Sequence, residues 1–174
     1  MDKPQNKSTQ ASLALKKISY GFYIVTTKAP AEELSSRDKD YYAAGTVSWV
    51  SQISFDPPLV MVAIQKDSDL NETIQRSQSF AINIVGKAEL NMLKAFSKGS
   101  DVEGEKINGY SFEEKETGSP ILNDVPAFIE CELNDAVTPE GDHMVFIGKV
   151  VNAKVRNEDA EPLMEWETDY HYGG

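Results

Sequence analysis

Ala44-Gly45-Thr46-Val47-Ser48-Trp49-Val50-Ser51-Gln52-Ile53-Ser54-Phe55 runs into Asp56-Pro57-Pro58 and then into Leu59-Val60-Met61-Val62-Ala63-Ile64-Gln65. The first part is rich in β-branched and aromatic residues and reads as one strand over 44–55. Two consecutive prolines cannot sit inside a central strand, so they mark its end and a rigid turn. Leu59 to Gln65 is a continuous apolar run of strand length, the pattern of a strand buried on both faces. The hydroxyls of Thr46, Ser48 and Ser51 and the amide of Gln52 stand where a purely structural strand would carry Val and Ile. Small hydroxyl residues let a flat ligand lie close to the backbone and hydrogen-bond its polar edge. A half-exposed strand with Ser and Thr on its wet face has the same pattern.

Working outward, Lys66-Asp67-Ser68-Asp69-Leu70-Asn71 joins the buried strand to a helix start. Free N–H groups at such a start, the helix dipole and a Lys make an anion site; a solvated turn with an ordinary cap reads the same way. Ser68 caps a helix to Ser77 that carries Leu70 and Ile74 at i, i+4. Phe80–Val85 reads as a strand, and 89–97 as a short helix with Leu90, Leu93 and Phe96 on one side. Residues 98–109, with mixed charges and glycines, read as a loop. From Val125 the alternation is clean, with Ala127, Ile129, Cys131 and Leu133 facing one way and Glu130, Glu132 and Asn134 the other. After a turn at 138–141, Val145, Ile147, Val151, Ala153 and Val155 continue at period two, so these strands form a hairpin.

Upstream, Ile18–Thr27 reads as the first strand and 28–42 as a long exposed loop. Ser8 or Thr9 caps a short helix through Lys17, with Leu13 and Ile18 as its apolar side. Residues 1–10 form a loose tail and 11–174 one domain. Six or more strands, two or three short helices and no βαβ run of long helices predict a mainly β fold, an antiparallel barrel with small helical insertions.

The chain has 174 residues, with 17 Lys plus Arg against 28 Asp plus Glu, a net charge of −11. That balance excludes a phosphate-backbone binder, which needs clustered Lys and Arg, but not one small phosphorylated ligand. Cys131 alone gives neither an intramolecular disulfide nor a multi-cysteine metal site, and reads as a buried thiol. His143 and His171 are too few for a histidine-rich metal centre. Neither a dinucleotide fingerprint, a P-loop nor a G-x-S-x-G elbow is present. The longest apolar run, Leu59–Ile64, is far too short to span a bilayer, and residues 1–6 carry no hydrophobic signal region. The expected location is the cytoplasm. The acidic runs at 113–116 and 157–161 read as solvated surface. Trp166, Tyr170 and Tyr172 are too apolar for a free end and are expected to pack on the barrel or a second subunit.

The run T-V-S-W-V-S-Q-I-S-F-D-P-P-L-V-M-V-A-I at 46–64, the K-x-S segment at 66–68 and S-F-A-I-N-I-V at 79–85 together resemble the flavin reductase-like, FMN-binding split-barrel family. Trp after the serine is similar to the flavoredoxin-type branch. Met92–Ser97 resembles the family's short helix ending in F-S, and Gly141-Asp142-His143-x-x-Phe146-Ile147-Gly148 its G-D-H-x-x-F-x-G signature. The resemblance covers most of Ile18 to Val155. It implies an FMN-binding split β-barrel, a homodimer, that binds FMN (FAD in some members) and oxidises NADH or NADPH.

Carried over by the same resemblance, Thr46, Val47, Ser48 and Trp49 line the isoalloxazine, and Ser51 and Gln52 reach the ribityl chain or phosphate. Lys66, Ser68 and Asn71 hold the phosphate, Phe96 borders the pocket, and His143 orients the nicotinamide. Leu70 departs from the hydroxyl residue common there, Glu167 from a frequent Arg, and the 28–42 loop is longer and more charged than usual. The function implied is an NAD(P)H:flavin oxidoreductase passing hydride to flavin and supplying reduced flavin to a partner oxygenase. A tightly FMN-bound electron carrier with little NAD(P)H activity, docking on a redox partner, is the alternative. A flavin-free barrel used as a binding domain is the third.

Overall fold

The computed structural model describes residues 9–31 and 39–173. Most of the 1–10 tail and the middle of the 28–42 loop lie outside the described residues. Helix α1 (Gln10–Leu15) precedes β1 (Tyr23–Ala29), β2 (Tyr41–Val47), β3 (Val50–Ser54) and β4 (Leu59–Gln65). Helix α2 (Asp69–Ser77), β5 (Ser79–Ile84) and α3 (Asn91–Ala95) follow. Four short strands come next: β6 (Val102–Glu103), β7 (Lys106–Ile107), β8 (Tyr110–Glu113) and β9 (Ile121–Leu122). The long β10 (Ala127–Val137) and β11 (His143–Val155) close the set.

Seven strands form one sheet in the order β2-β1-β5-β10-β11-β4-β3, and every ladder in it is antiparallel. Its two edges, β2 and β3, are consecutive in sequence, so the sheet must curl until the edges meet. This curl makes the split barrel, and Ser48-Trp49 is its seam. Val25, Val62, Phe80, Ile82, Cys131 and Phe146 fill the interior with almost no exposed surface. Each such side chain contributes about 1.5–3 kcal/mol on burial. Helix α2 plugs one end with Leu70 and Ile74. Its Ser68 cap accepts from the Asn71 N–H, and Gln78 ends it in the left-handed conformation. A second core under α3 gathers Phe22, Ile24, Met92, Leu93, Phe96 and Ile107.

The strand expected over 44–55 is two strands. One segment cannot pair with β1 at one edge and β4 at the other without breaking, and the break falls at Ser48-Trp49. The first strand begins at Tyr23 rather than Ile18; Gly21 instead bridges Met164, where a side chain would collide with the Tyr23 hydroxyl. Leu13 and Ile18 are exposed rather than packed. The helix expected over 89–97 divides into a 3-10 turn at Lys87–Glu89 and α3, leaving Leu90 exposed while Leu93 and Phe96 are buried. The expected 98–109 loop contains β6 and β7, which begin a four-stranded sheet ending at β9. Two-residue strands are too short to leave a periodic signature.

Glu130 is fully buried, although alternation placed it outward. The segment after β8 covers that face, and a bulge between Glu130 and Cys131 buries both residues. The run at 113–116 is surface held by ion pairs, with Glu113 on Arg156 and Glu114 on Lys28. Among the described residues no helix is long and apolar enough to cross a membrane.

Candidate active site

A cavity of about 290 Å³ opens where the seam of the barrel meets α2. Ala44–Val47 of β2 form one wall, Ala63–Gln65 of β4 another, and Ser68–Leu70 close the end. Phe96, Ser97, Gly99 and Ser100 border it, and Tyr172 from the C-terminal segment completes it. The Thr46 N–H donates to the Phe96 carbonyl at 3.2 Å and its hydroxyl donates to the Leu93 carbonyl at 3.2 Å. These two bonds fix α3 against β2 and hold Phe96 at the rim. The volume lies at the low end of small-molecule sites, about 300–1,000 Å³, and suits a flat ring with its polar tail outside.

Beside the cavity stands an aromatic group. The Trp49 and His143 rings lie 4.5 Å apart at 43°, and Tyr172 meets Trp49 edge-on at 5.2 Å. His143 begins β11, opposite Gln65 of β4, which carries the G-D-H segment to the same end as α2. Its Nδ1 lies 2.5 Å from Asp142 Oδ1 and its Nε2 2.6 Å from the Tyr172 hydroxyl. Only 12% of the His143 side chain is exposed, against 89% for Asp142. The hydrogen bond to His143 holds the Asp142 carboxyl below its ordinary range. Burial, then the Asp142 charge, push the Tyr172 hydroxyl upward.

Several donors here have no partner among the described residues. The Trp49 indole N–H is buried and unsatisfied. The backbone N–H groups of Ser48, Trp49, Asp69 and Leu70 likewise donate to nothing. Asp69 and Leu70 start α2, whose dipole favours an anion in front of it.

Of the residues singled out in the sequence, Thr46, Val47, Ser68 and Phe96 line this cavity. Trp49 and His143 stand beside it, and Ser48 is buried in the seam. The others are placed differently. The Lys66 ammonium donates to the Pro139 and Gly141 carbonyls, both at 2.7 Å, which ties the 138–141 turn to β4. Asn71 is buried, with Oδ1 accepting from Gln75 at 2.6 Å and Nδ2 directed at the Ile64 carbonyl. Ser68 spends its hydroxyl on Gln65 and on its own cap. Ser51 and Gln52 border a separate apolar cavity of about 360 Å³ with Tyr23, Leu59, Ile82 and Val150. Tyr172 was absent from the sequence-derived site: the aromatic C-terminal segment was expected to pack on the barrel or a second subunit, which Tyr172 does at the seam while Trp166 and Tyr170 stay exposed.

A larger cavity, about 530 Å³, lies at the opposite end of β11. Its cations are spent, with Lys87 on Glu161 and Glu167, and Arg156 on Glu113 and the Leu122 and Asn123 carbonyls. Size alone therefore does not mark the site.

The chain is 30% identical over 131 residues to a flavin reductase of Pseudomonas putida, covering 75% of this chain and 75% of that protein. It is 33% identical to the high molecular weight rubredoxin of Moorella thermoacetica, covering 82% of this chain and 58% of that one. With the diflavin flavoprotein A 1 of Synechocystis it shares 32% identity over 87% of its own length and 25% of the relative's. The chain thus spans about a quarter to three fifths of several curated relatives it matches. The solved styrene monooxygenase flavin reductase of Pseudomonas putida S12 superposes with a TM-score of 0.71 at 23% identity, over 95% of this chain and 97% of that one, a likeness of fold. The family model for the flavin reductase like domain matches residues 15–174, and with the split barrel and the seam cavity in place the chain belongs to that family.

Proposed function

We propose that this chain binds FMN, or FAD, at the seam cavity and oxidises NADH or NADPH there as an NAD(P)H:flavin oxidoreductase. The observation that carries the reading is a cavity of ring size lined at its end by Asp69 and Leu70, whose amides open α2 without a partner, with the partnerless Trp49 indole N–H and the Ser48-Trp49 link beside it. A flat heteroaromatic with carbonyls along one edge accepts such donors, and a phosphate at its far end suits the start of α2. The residues present therefore fit the group.

When bound, flavin supplies the ring that accepts a hydride from a nicotinamide. The chain's task is positional. The Ala44–Val47 backbone forms the floor, while Phe96 and Leu70 keep water from one side. The Ser48 and Trp49 amides stabilise charge at the polar edge of the ring, and His143 orients the nicotinamide over it. Phosphate binding rests on the α2 amides, since Lys66, Asn71 and the Ser68 hydroxyl all have local partners. The apolar cavity beside Ser51 and Gln52, with Ile53 and Phe55 exposed nearby, supports a homodimer whose second copy covers that face. We assign the cytoplasm as location.

The test is a visible absorption spectrum of the purified protein before and after anaerobic NADH or NADPH. Flavin bands that bleach are expected. Their absence after incubation with FMN and with FAD would sink the reading. The relatives named rubredoxin and diflavin flavoprotein favour a second reading, an FMN electron carrier for a redox partner rather than a supplier of reduced flavin to an oxygenase. Bands that resist both nucleotides but bleach with dithionite would select it.

A further inference from the structure

After β11 the chain crosses back over the barrel. Met164 bridges Gly21, and the Glu165 N–H donates to the Tyr20 carbonyl. From there residues 168–173 form a strap. Thr168 braces it through its hydroxyl, which accepts from the Tyr170 N–H at 3.1 Å. His171 Nδ1 stands 3.6 Å from the buried Glu165 carboxylate. Gly173 lies against the Tyr20 ring so closely that a Cβ there would sit 2.4 Å from a ring carbon. Between these two holds, Tyr172 turns inward. Its hydroxyl meets His143 Nε2 at 2.6 Å, and its ring stands edge-on to both Trp49 and His143.

This placement conflicts with the work assigned to His143. Nδ1 faces Asp142 and Nε2 faces Tyr172, so neither ring nitrogen is open to a ligand. Tyr172 also lines the cavity. Yet Tyr170, His171 and Tyr172 remain substantially exposed, so the strap buries little that would resist its lifting.

We propose that Tyr172 gates the pyridine nucleotide: the strap at 168–173 holds its ring on the Trp49–His143 face, and a nicotinamide reaches His143 only by displacing it. This rests on the reading of the seam cavity as the flavin site. One hydrogen bond and an edge-on ring contact favour the closed strap by about tenfold, and nucleotide affinity is lowered by that factor. Tyr172 acts before chemistry, so its effect falls on the affinity for the nucleotide.

The experiment uses full-length protein loaded with FMN, as wild type, Tyr172→Phe and Tyr172→Ala. FMN affinity is read from flavin fluorescence, and NADH and NADPH affinity from anaerobic stopped-flow bleaching of the visible flavin band. Binding of NAD⁺ and NADP⁺, which cannot reduce the flavin, is read from tryptophan emission in a Trp166→Phe background. Expected for Tyr172→Ala is an affinity about tenfold tighter for the productive nucleotide; Tyr172→Phe falls between. Unchanged nucleotide affinity would overturn the gate. So would weaker FMN binding with nucleotide affinity intact, since Tyr172 would then belong to the flavin seat. A wild type that takes up no flavin overturns the reading of the cavity, and the gate with it, before any variant is compared.

Discussion

The carboxylate of Glu130 in β10 accepts the side-chain amide of Asn152 in β11 at 2.6 Å, between residues that face each other across the ladder. The same carboxylate accepts from the Thr117 N–H at 3.0 Å and the Thr117 hydroxyl at 2.9 Å. A carboxylate with no exposed surface depends on such partners. Asn152→Ala is expected to destabilise the fold by about 1–3 kcal/mol, read from the urea midpoint. An unchanged midpoint would mean that water replaces the amide.

Gly148, the last glycine of the G-D-H-x-x-F-x-G segment, has a steric reason to be glycine. A Cβ there would lie 2.6 Å from the Cys131 Cβ and 2.6 Å from the Phe80 ring. Neither neighbour has room to move, because both are fully buried. Gly148→Ala should cost about 1–3 kcal/mol by overpacking, seen as a lowered Tm. A wild-type Tm would show that the barrel wall yields there.

Burial, with the Glu130 charge second, pushes the Cys131 thiol up to about 12. Native protein at pH 8 should therefore not react with a chromogenic disulfide, and denatured protein should release one equivalent. The folded chain keeps this proton where the unfolded chain, near the ordinary 9.0, has lost it. The contribution to stability is thus full below pH 9 and is lost as pH rises toward 12. Burial also raises the Tyr23 hydroxyl, so the comparison must be with Cys131→Ala, whose stability should fall less steeply over that range. Equal slopes would count against the shift.

Flavin at a hundred times its Kd should stabilise the fold by about 2.7 kcal/mol. For a domain of this size that raises Tm by about 5–10 °C. Thermal melts with FMN, riboflavin and no ligand measure it. If the α2 amides hold the phosphate, riboflavin at equal concentration gives a smaller shift.

Much of the scaffold could be read in advance where its residues follow a local rule. Strand β4 matches its apolar run, Ser68 caps α2, and the period-two pattern gives the β10–β11 hairpin. What escaped is set by distant partners. Ser48-Trp49 breaks because β2 and β3 answer to opposite edges, which no local propensity encodes. Glu130 alternates as a surface residue, yet Thr117 and Asn152 receive it. Thr46, Val47 and Phe96 line one cavity. Lys66 is drawn instead to carbonyls more than 70 residues away in sequence, and Tyr172, marked by its apolar ring as a packing residue, reaches the seam by a return path that no local pattern specifies.

The seam itself has a consequence for how the molecule breathes. Strands β2 and β3 pair with β1 and β4, and the Ser48-Trp49 link between them is tied to β4 only where the Ala63 N–H donates to the Trp49 carbonyl at 3.0 Å. The Ser48 and Trp49 amides, bonded to nothing, should exchange with deuterium long before those of β5 or β10. A ring lying across the link would touch both edges at once and serve as the missing rung. An occupied seam is therefore expected to slow exchange at Ser48 and Trp49 while leaving the paired strands where they are.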